Sequence, residues 1–206
     1  MESANTTLKS SMKIQLYNGN TFVKGFLILA VTMGLASCGK KKTDDSKAVA
    51  EEHNEAKFDK ADEKDAQFLV NAAEINLEEI QLGQLAQKNG MMPDVRELGK
   101  AMEAEHTKAL AALKQLAAKK LITVPVTLTE NGQDAYQKLM DKPAKDFDKA
   151  YCDMMVDGHK KAVDKFESVA ADGKDSDIRS WASSMLPVLR SHLDHAMVCQ
   201  AKCTKG

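Results

Sequence analysis

Four positions in this 206-residue chain carry side chains able to hold a transition metal: Glu79, His106, His159 and His192. Each interrupts an apolar stripe at bundle-facing spacing, with steps of four and three residues. The first stripe is Phe68, Ala72, Ile75, Glu79, Leu82, Ala86. The second is Val95, Gly99, Met102, His106, Ala109, Leu113, and the third Cys152, Met155, His159, Ala162, Phe166. The fourth is Ile178, Ala182, Met185, Leu189, His192, Ala196, Cys199. Three neutral imidazoles and one carboxylate suit zinc, with copper, iron and manganese as further options.

The carboxylates nearby, Glu78, Glu105, Asp153 and Asp157, are candidates for holding the imidazole tautomers, Glu105 and Asp153 foremost. Met102 and Met155, one turn before their histidines, add softer donors suited to reduced copper. The alternative needs no metal. A Glu–His hydrogen-bonded layer can fix helix register in a purely structural or protein-interaction module.

Cysteines form the second group. Cys152 precedes His159 by the same interval at which Cys199 follows His192, so antiparallel helices that face their histidines would also face these thiols. A Cys152–Cys199 disulfide is therefore expected, with Cys203 as a substitute partner. A thiolate metal site at Cys199-x-x-x-Cys203 is the weaker alternative.

Helices must position all of this. The patterning predicts one from about Asp62 to Asn89, with Gly90 placed for a left-handed cap. A second opens at Pro93 and runs to about Lys120. A long connection follows, with a short helix capped by Thr129. A third helix runs from Pro143 to about Asp172, and a fourth begins near Ser176, with a kink expected near Ser183 because Pro187 removes a backbone bond. Counting residues from the turns brings the four polar positions to within about one helical turn of a common level. The fold expected is all-α: an antiparallel four-helix bundle with a long crossover between its second and third helices. No internal repeat is expected.

Outside the bundle, lysines and a short apolar run, "GFLILAVTMGLAS", read as a secretory signal over residues 1–37. "LASC" resembles a bacterial lipobox, which implies cleavage before Cys38 and its acylation. The charged stretch 38–62 reads as a flexible tether, and 63–203 as the folded domain. The expected address is the cell envelope, on a lipid anchor at the outer membrane facing the periplasm. Formal net charge is −1 with both signs interleaved, so no basic stripe points to nucleic acid.

Enzyme signatures are sparse. There is no nucleophile elbow or phosphate loop. A di-iron oxidase needs paired Glu-x-x-His motifs. Glu103-x-x-His106 supplies one, while Val156 and Leu189 stand where the others need an acid.

The segments "FLVNAAEINLEEIQLGQLA", "EHTKALAALKQLAAKK", "FDKAYCDMMVDGHKKAVDKFE" and "LPVLRSHLDHA" resemble a bacterial envelope family, domain-of-unknown-function family four-one-four-two. The resemblance spans about residues 65 to 200 and implies a ferritin-like bundle. Its pattern falls here on Glu79, Glu105-His106, Asp153 with His159, and His192. Gly158 and Ser191 stand where that pattern usually has acids. No activity is implied.

Overall fold

The computed structural model describes residues 45–204, and the expected signal segment and Cys38 lie outside them. Among the described residues six helices follow one another: α1 Ser46–Glu55, α2 Lys60–Asn89, α3 Pro93–Lys120, α4 Glu130–Met140, α5 Ala144–Asp172 and α6 Ser176–Cys203. No strand occurs among the described residues, and none of their helices is long and apolar enough to cross a membrane.

The four long helices form a bundle. The short turns force α2 against α3 and α5 against α6, while α3–α6 and α2–α5 contacts close the ring. At the α2–α3 seam two glycines let the helices approach closely. A Cβ on Gly83 would lie 2.6 Å from the Gly99 carbonyl oxygen, and one on Gly99 the same distance from that of Gly83.

Thr129 caps α4 where the sequence places it, and Asp175 is a further cap not read from the sequence. Thr129 Oγ1 accepts from Gly132 N at 3.2 Å, and Asp175 caps α6 through Asp177 N and Ile178 N. α6 runs unbroken through Pro187. The left-handed cap belongs to Leu121 (φ 57°), whereas Gly90 is not left-handed. At Gly90 the constraint is space, since a Cβ there would sit 2.6 Å from the Ala86 carbonyl oxygen.

The chain does carry a repeat, against the sequence expectation. "GMMPDVR" at the α2–α3 turn and "GKDSDIR" at the α5–α6 turn share Gly, Asp, an aliphatic and Arg at matching places. Arg96 Nη1 donates to the Gly90 and Met91 carbonyls, both at 2.8 Å. Arg179 Nη1 does the same to Gly173 and Lys174, at 2.8 and 2.9 Å. Each turn is held by an aspartate from the opposite hairpin. Asp148 of α5 accepts from Met91 N and Met92 N, at 2.9 and 2.7 Å. Asp65 of α2 accepts from Lys174 N and Asp175 N, at 3.3 and 2.6 Å. Gly90 to Gly173, Arg96 to Arg179 and Asp65 to Asp148 are separated by one constant offset, so the bundle is two like hairpins facing each other.

Part of the stretch expected as a tether is helical. From Asp45 the described chain is a helix docked on the bundle, because its polar residues find specific partners. Lys47 Nζ pairs with Glu74 Oε2 at 2.5 Å. The buried Asn54 donates to the Thr123 carbonyl at 2.8 Å and accepts from Thr123 N at 2.9 Å. His53 is exposed.

Candidate metal centre

Two apolar clusters fill the bundle, and a polar layer separates them. One contains Leu82, Met102, Met155, Val156 and Ala196; the other contains Ala73, Leu110, Ala162 and Leu189. On every long helix the sequence passes from one cluster to the other across the predicted polar residue. Glu79, His106, His159 and His192 are all buried.

The structure brings the three histidines together. One ring nitrogen from each lies within 4.8 Å of the other two. Ring centroids are 5.2 Å apart for His106–His192, 5.3 Å for His159–His192 and 5.7 Å for His106–His159. A tetrahedral zinc with bonds of about 2.0–2.1 Å needs nitrogens about 3.4 Å apart, so small side-chain rotations close the site.

Hydrogen bonds set the tautomers. His106 Nδ1 lies 3.0 Å from Asn76 Oδ1, and His159 Nδ1 lies 2.9 Å from the Met155 carbonyl oxygen. Both Nδ1 atoms therefore carry the proton, and both Nε2 atoms keep a lone pair. His106 Nε2, His159 Nε2 and His192 Nδ1 are buried without a protein hydrogen-bond partner, and so is Glu79 Oε2. Buried polar atoms are paired in the great majority of cases. Four unpaired ones in one layer is the pattern a cation would satisfy.

Glu79 is near this triad without joining it at ligand distance; the close cluster comprises the histidines alone. With His106 and His159, Glu79 lines a small cavity of about 70 Å³, to which Glu78 and Gly158 also contribute. A Cβ on Gly158 would come 3.5 Å from Glu79 Oε1, so this glycine leaves the carboxylate room.

Electrostatics keep the layer uncharged. Burial, with the neighbouring His159 and His192, holds His106 well below the usual imidazole range. Burial also lowers His159, and takes His192 down to about 4 with help from His159. Burial pushes Glu79 up to about 8, with a contribution from Glu78, which itself rises to about 7 through burial and Glu74. Neutral imidazoles are the ligand form. A bound cation would reverse the shift on Glu79.

Of the expected supporting acids, Glu78 lines the cavity, and the other three have surface partners or are exposed. Asp153 pairs with Lys149 (2.6 Å) and Gln200 (2.8 Å), and Glu105 pairs with Lys108 (2.8 Å). Asp157 is exposed. Solvent-facing lysines and amides outcompete a buried ring for a carboxylate whose own burial is costly. The supporting acceptors are instead Asn76 and a helix carbonyl. Asn76 was legible: it lies three residues before Glu79, hence on the same face, as a polar residue inside an apolar run. Tyr151 was missed as well. Its hydroxyl is buried and unpaired, and burial together with Glu79 pushes the phenol well up. Met102 and Met155 are packed in the apolar cluster.

No disulfide joins Cys152 to Cys199; all three described thiols are free. Cys199 Sγ is turned to the Asp94 carbonyl at 3.6 Å, and Cys152 Sγ contacts Cys203 Sγ at 3.8 Å.

Neither the curated proteins nor the solved structures offer a match to this chain. A family model does match, over residues 49–198, across all four long helices and the whole layer. The chain thus belongs to the family described as a domain of unknown function, DUF4142.

Proposed function

We propose that this protein is a lipid-anchored component of the bacterial cell envelope whose ferritin-like bundle holds a transition metal at His106, His159 and His192. The observation that carries this reading is the set of inward ring nitrogens, His106 Nε2, His159 Nε2 and His192 Nδ1, buried together and unpaired. Three neutral imidazoles with a carboxylate alongside suit zinc first, with copper, iron and manganese as competitors. Glu79 would serve as a fourth donor or accept a proton from a metal-bound water. The role is holding or buffering metal in the envelope. The anchor is read from the lipobox at Cys38.

Elemental analysis of the protein, purified from the envelope fraction without a polyhistidine tag, tests the site. About one metal per chain, lost in a His106→Ala/His159→Ala double variant, is expected. Absence of metal, with none taken up from zinc or copper solutions, would overturn it.

One observation favours a second reading. His159 meets His106 and His192 edge to face, at interplanar angles of 72° and 78°, as neutral rings pack in a core. In that reading the layer is a metal-free register device in a structural or interaction module, and the same experiment returns a metal-free protein.

A further inference from the structure

A second donor cluster lies two turns from the histidine layer. Cys152 precedes His159 by seven residues on α5, about 10 Å of helix. Its Sγ lies 3.8 Å from Sγ of Cys203, the last residue of α6. Cys203 Sγ in turn lies 3.6 Å from Sδ of Met92, the residue that caps α3. Three sulfur atoms from three separate places in the chain thus meet at one end of the bundle. Cys152 is fully buried, while Cys203 is partly open to solvent and offers an entry.

The spacing distinguishes the chemistries available. A disulfide needs sulfurs about 2.0 Å apart. Metal–sulfur bonds of about 2.3 Å around a three-coordinate centre put the sulfurs about 4.0 Å apart. The two separations, 3.8 and 3.6 Å, are compatible with the second value and not with the first. Ligand softness then selects the ion. A thioether is a poor donor to zinc, and two thiols with a thioether form a set suited to reduced copper.

We infer that Cys152, Cys203 and Met92 form a binding site for a soft monovalent cation, Cu(I), separate from the histidine centre. Binding is ligand exchange with no change of oxidation state. Cu(I) displaces the protons of the Cys152 and Cys203 thiols, so two protons leave for each ion bound, and Met92 Sδ supplies the third bond. The thiols are protonated beforehand because burial pushes both up. Uptake therefore weakens as pH falls. The site stands whether or not the histidines hold a metal.

The test is anaerobic titration of the reduced full-length protein with Cu(I), in competition with a chromophoric Cu(I) chelator. X-ray absorption reports the atoms around copper. One sulfur-coordinated Cu(I) is expected, retained in His106→Ala/His159→Ala and lost in Cys203→Ser. Met92→Leu should weaken binding without abolishing it. Cys203 lies at the end of its helix, so its variant keeps the fold, which unchanged thermal unfolding confirms. Copper surrounded by nitrogen, or uptake that survives Cys203→Ser, overturns the assignment. A Cys152–Cys203 disulfide in protein whose thiols are alkylated at lysis overturns it too.

Discussion

The side-chain oxygen of Asn76 lies 3.0 Å from Nδ1 of His106, inside the bundle. The other end of the amide donates to the Ala72 carbonyl at 2.6 Å, which fixes which way the amide faces. The oxygen therefore accepts the ring proton, and the far nitrogen of His106 is left for a ligand. Asn76→Ala should weaken zinc binding by about 10–100-fold and cost the metal-free protein about 1–3 kcal/mol. Asn76→Asp keeps the acceptor and should retain most of the affinity. Calorimetric titration with zinc decides; equal affinity in all three proteins would remove Asn76 from the site.

His192 has no hydrogen-bond partner for its buried Nδ1. Replacing it with leucine fills similar volume and removes an unsatisfied polar atom. His192→Leu should raise the melting temperature of the metal-free protein by a few degrees and abolish stabilisation by zinc. This is the opposition between stability and function expected at a binding site. A variant less stable than the parent without metal would mean that the histidine is satisfied in some other way.

The layer makes stability depend on pH in both directions. The three histidines are lowered from 6.5, His192 to about 4. Their stabilising contribution is complete above 6.5 and is lost as pH falls toward the folded values. Glu78 and Glu79 are raised from 4.5, to about 7 and about 8. Theirs is complete below 4.5 and is lost as pH rises through 7 and 8. The layer's contribution in the metal-free protein should therefore peak near about pH 6. Zinc, which needs neutral imidazoles and favours ionised Glu79, should move the optimum upward. Melting curves from pH 4 to 9 test this. An alkaline decline that persists unchanged in Glu79→Gln would show that Glu79 is not its source.

Gly99→Ala sets two effects against each other. Helix propensity favours alanine by about 1 kcal/mol. Packing opposes it, since the new methyl would lie 2.6 Å from the Gly83 carbonyl oxygen and 2.9 Å from Ala86 Cβ. Backbone cannot yield as a flexible side chain does, so packing should win by about 1–3 kcal/mol. Denaturant unfolding that finds the variant as stable as the parent would mean that the two helices can part at little cost.

Asn54→Ala removes both hydrogen bonds between α1 and Thr123. Amide exchange in α1 should quicken while the long helices keep their protection. Slow exchange throughout would place the hold on α1 elsewhere.

The long helices and the polar layer were legible because both rest on periodicity, which burial enforces residue by residue. Thr129 as a cap and Pro93 at a helix start are local chemistry, and they were legible for the same reason. What escaped depends on geometry between segments. The shared Gly-Asp-Arg turn is only seven residues long and recurs across a crossover, so its two copies do not announce themselves. The Glu79 carboxylate shares the right helix face yet stops short of the histidines, a matter of ångströms that spacing does not encode. α1 is charged and poor in large apolar residues, so composition reads it as a tether; its docking comes from Asn54 and Lys47 finding single partners far along the chain.

That docking sets a limit on reach. The described residues begin at Asp45, seven residues after Cys38. With at most about 3.6 Å per residue, a lipid on Cys38 could hold the start of α1 no further than about 25 Å away. A tether running to residue 62 would have allowed more than three times that. Were Cys38 acylated, α1 would thus start within about 25 Å of the headgroups.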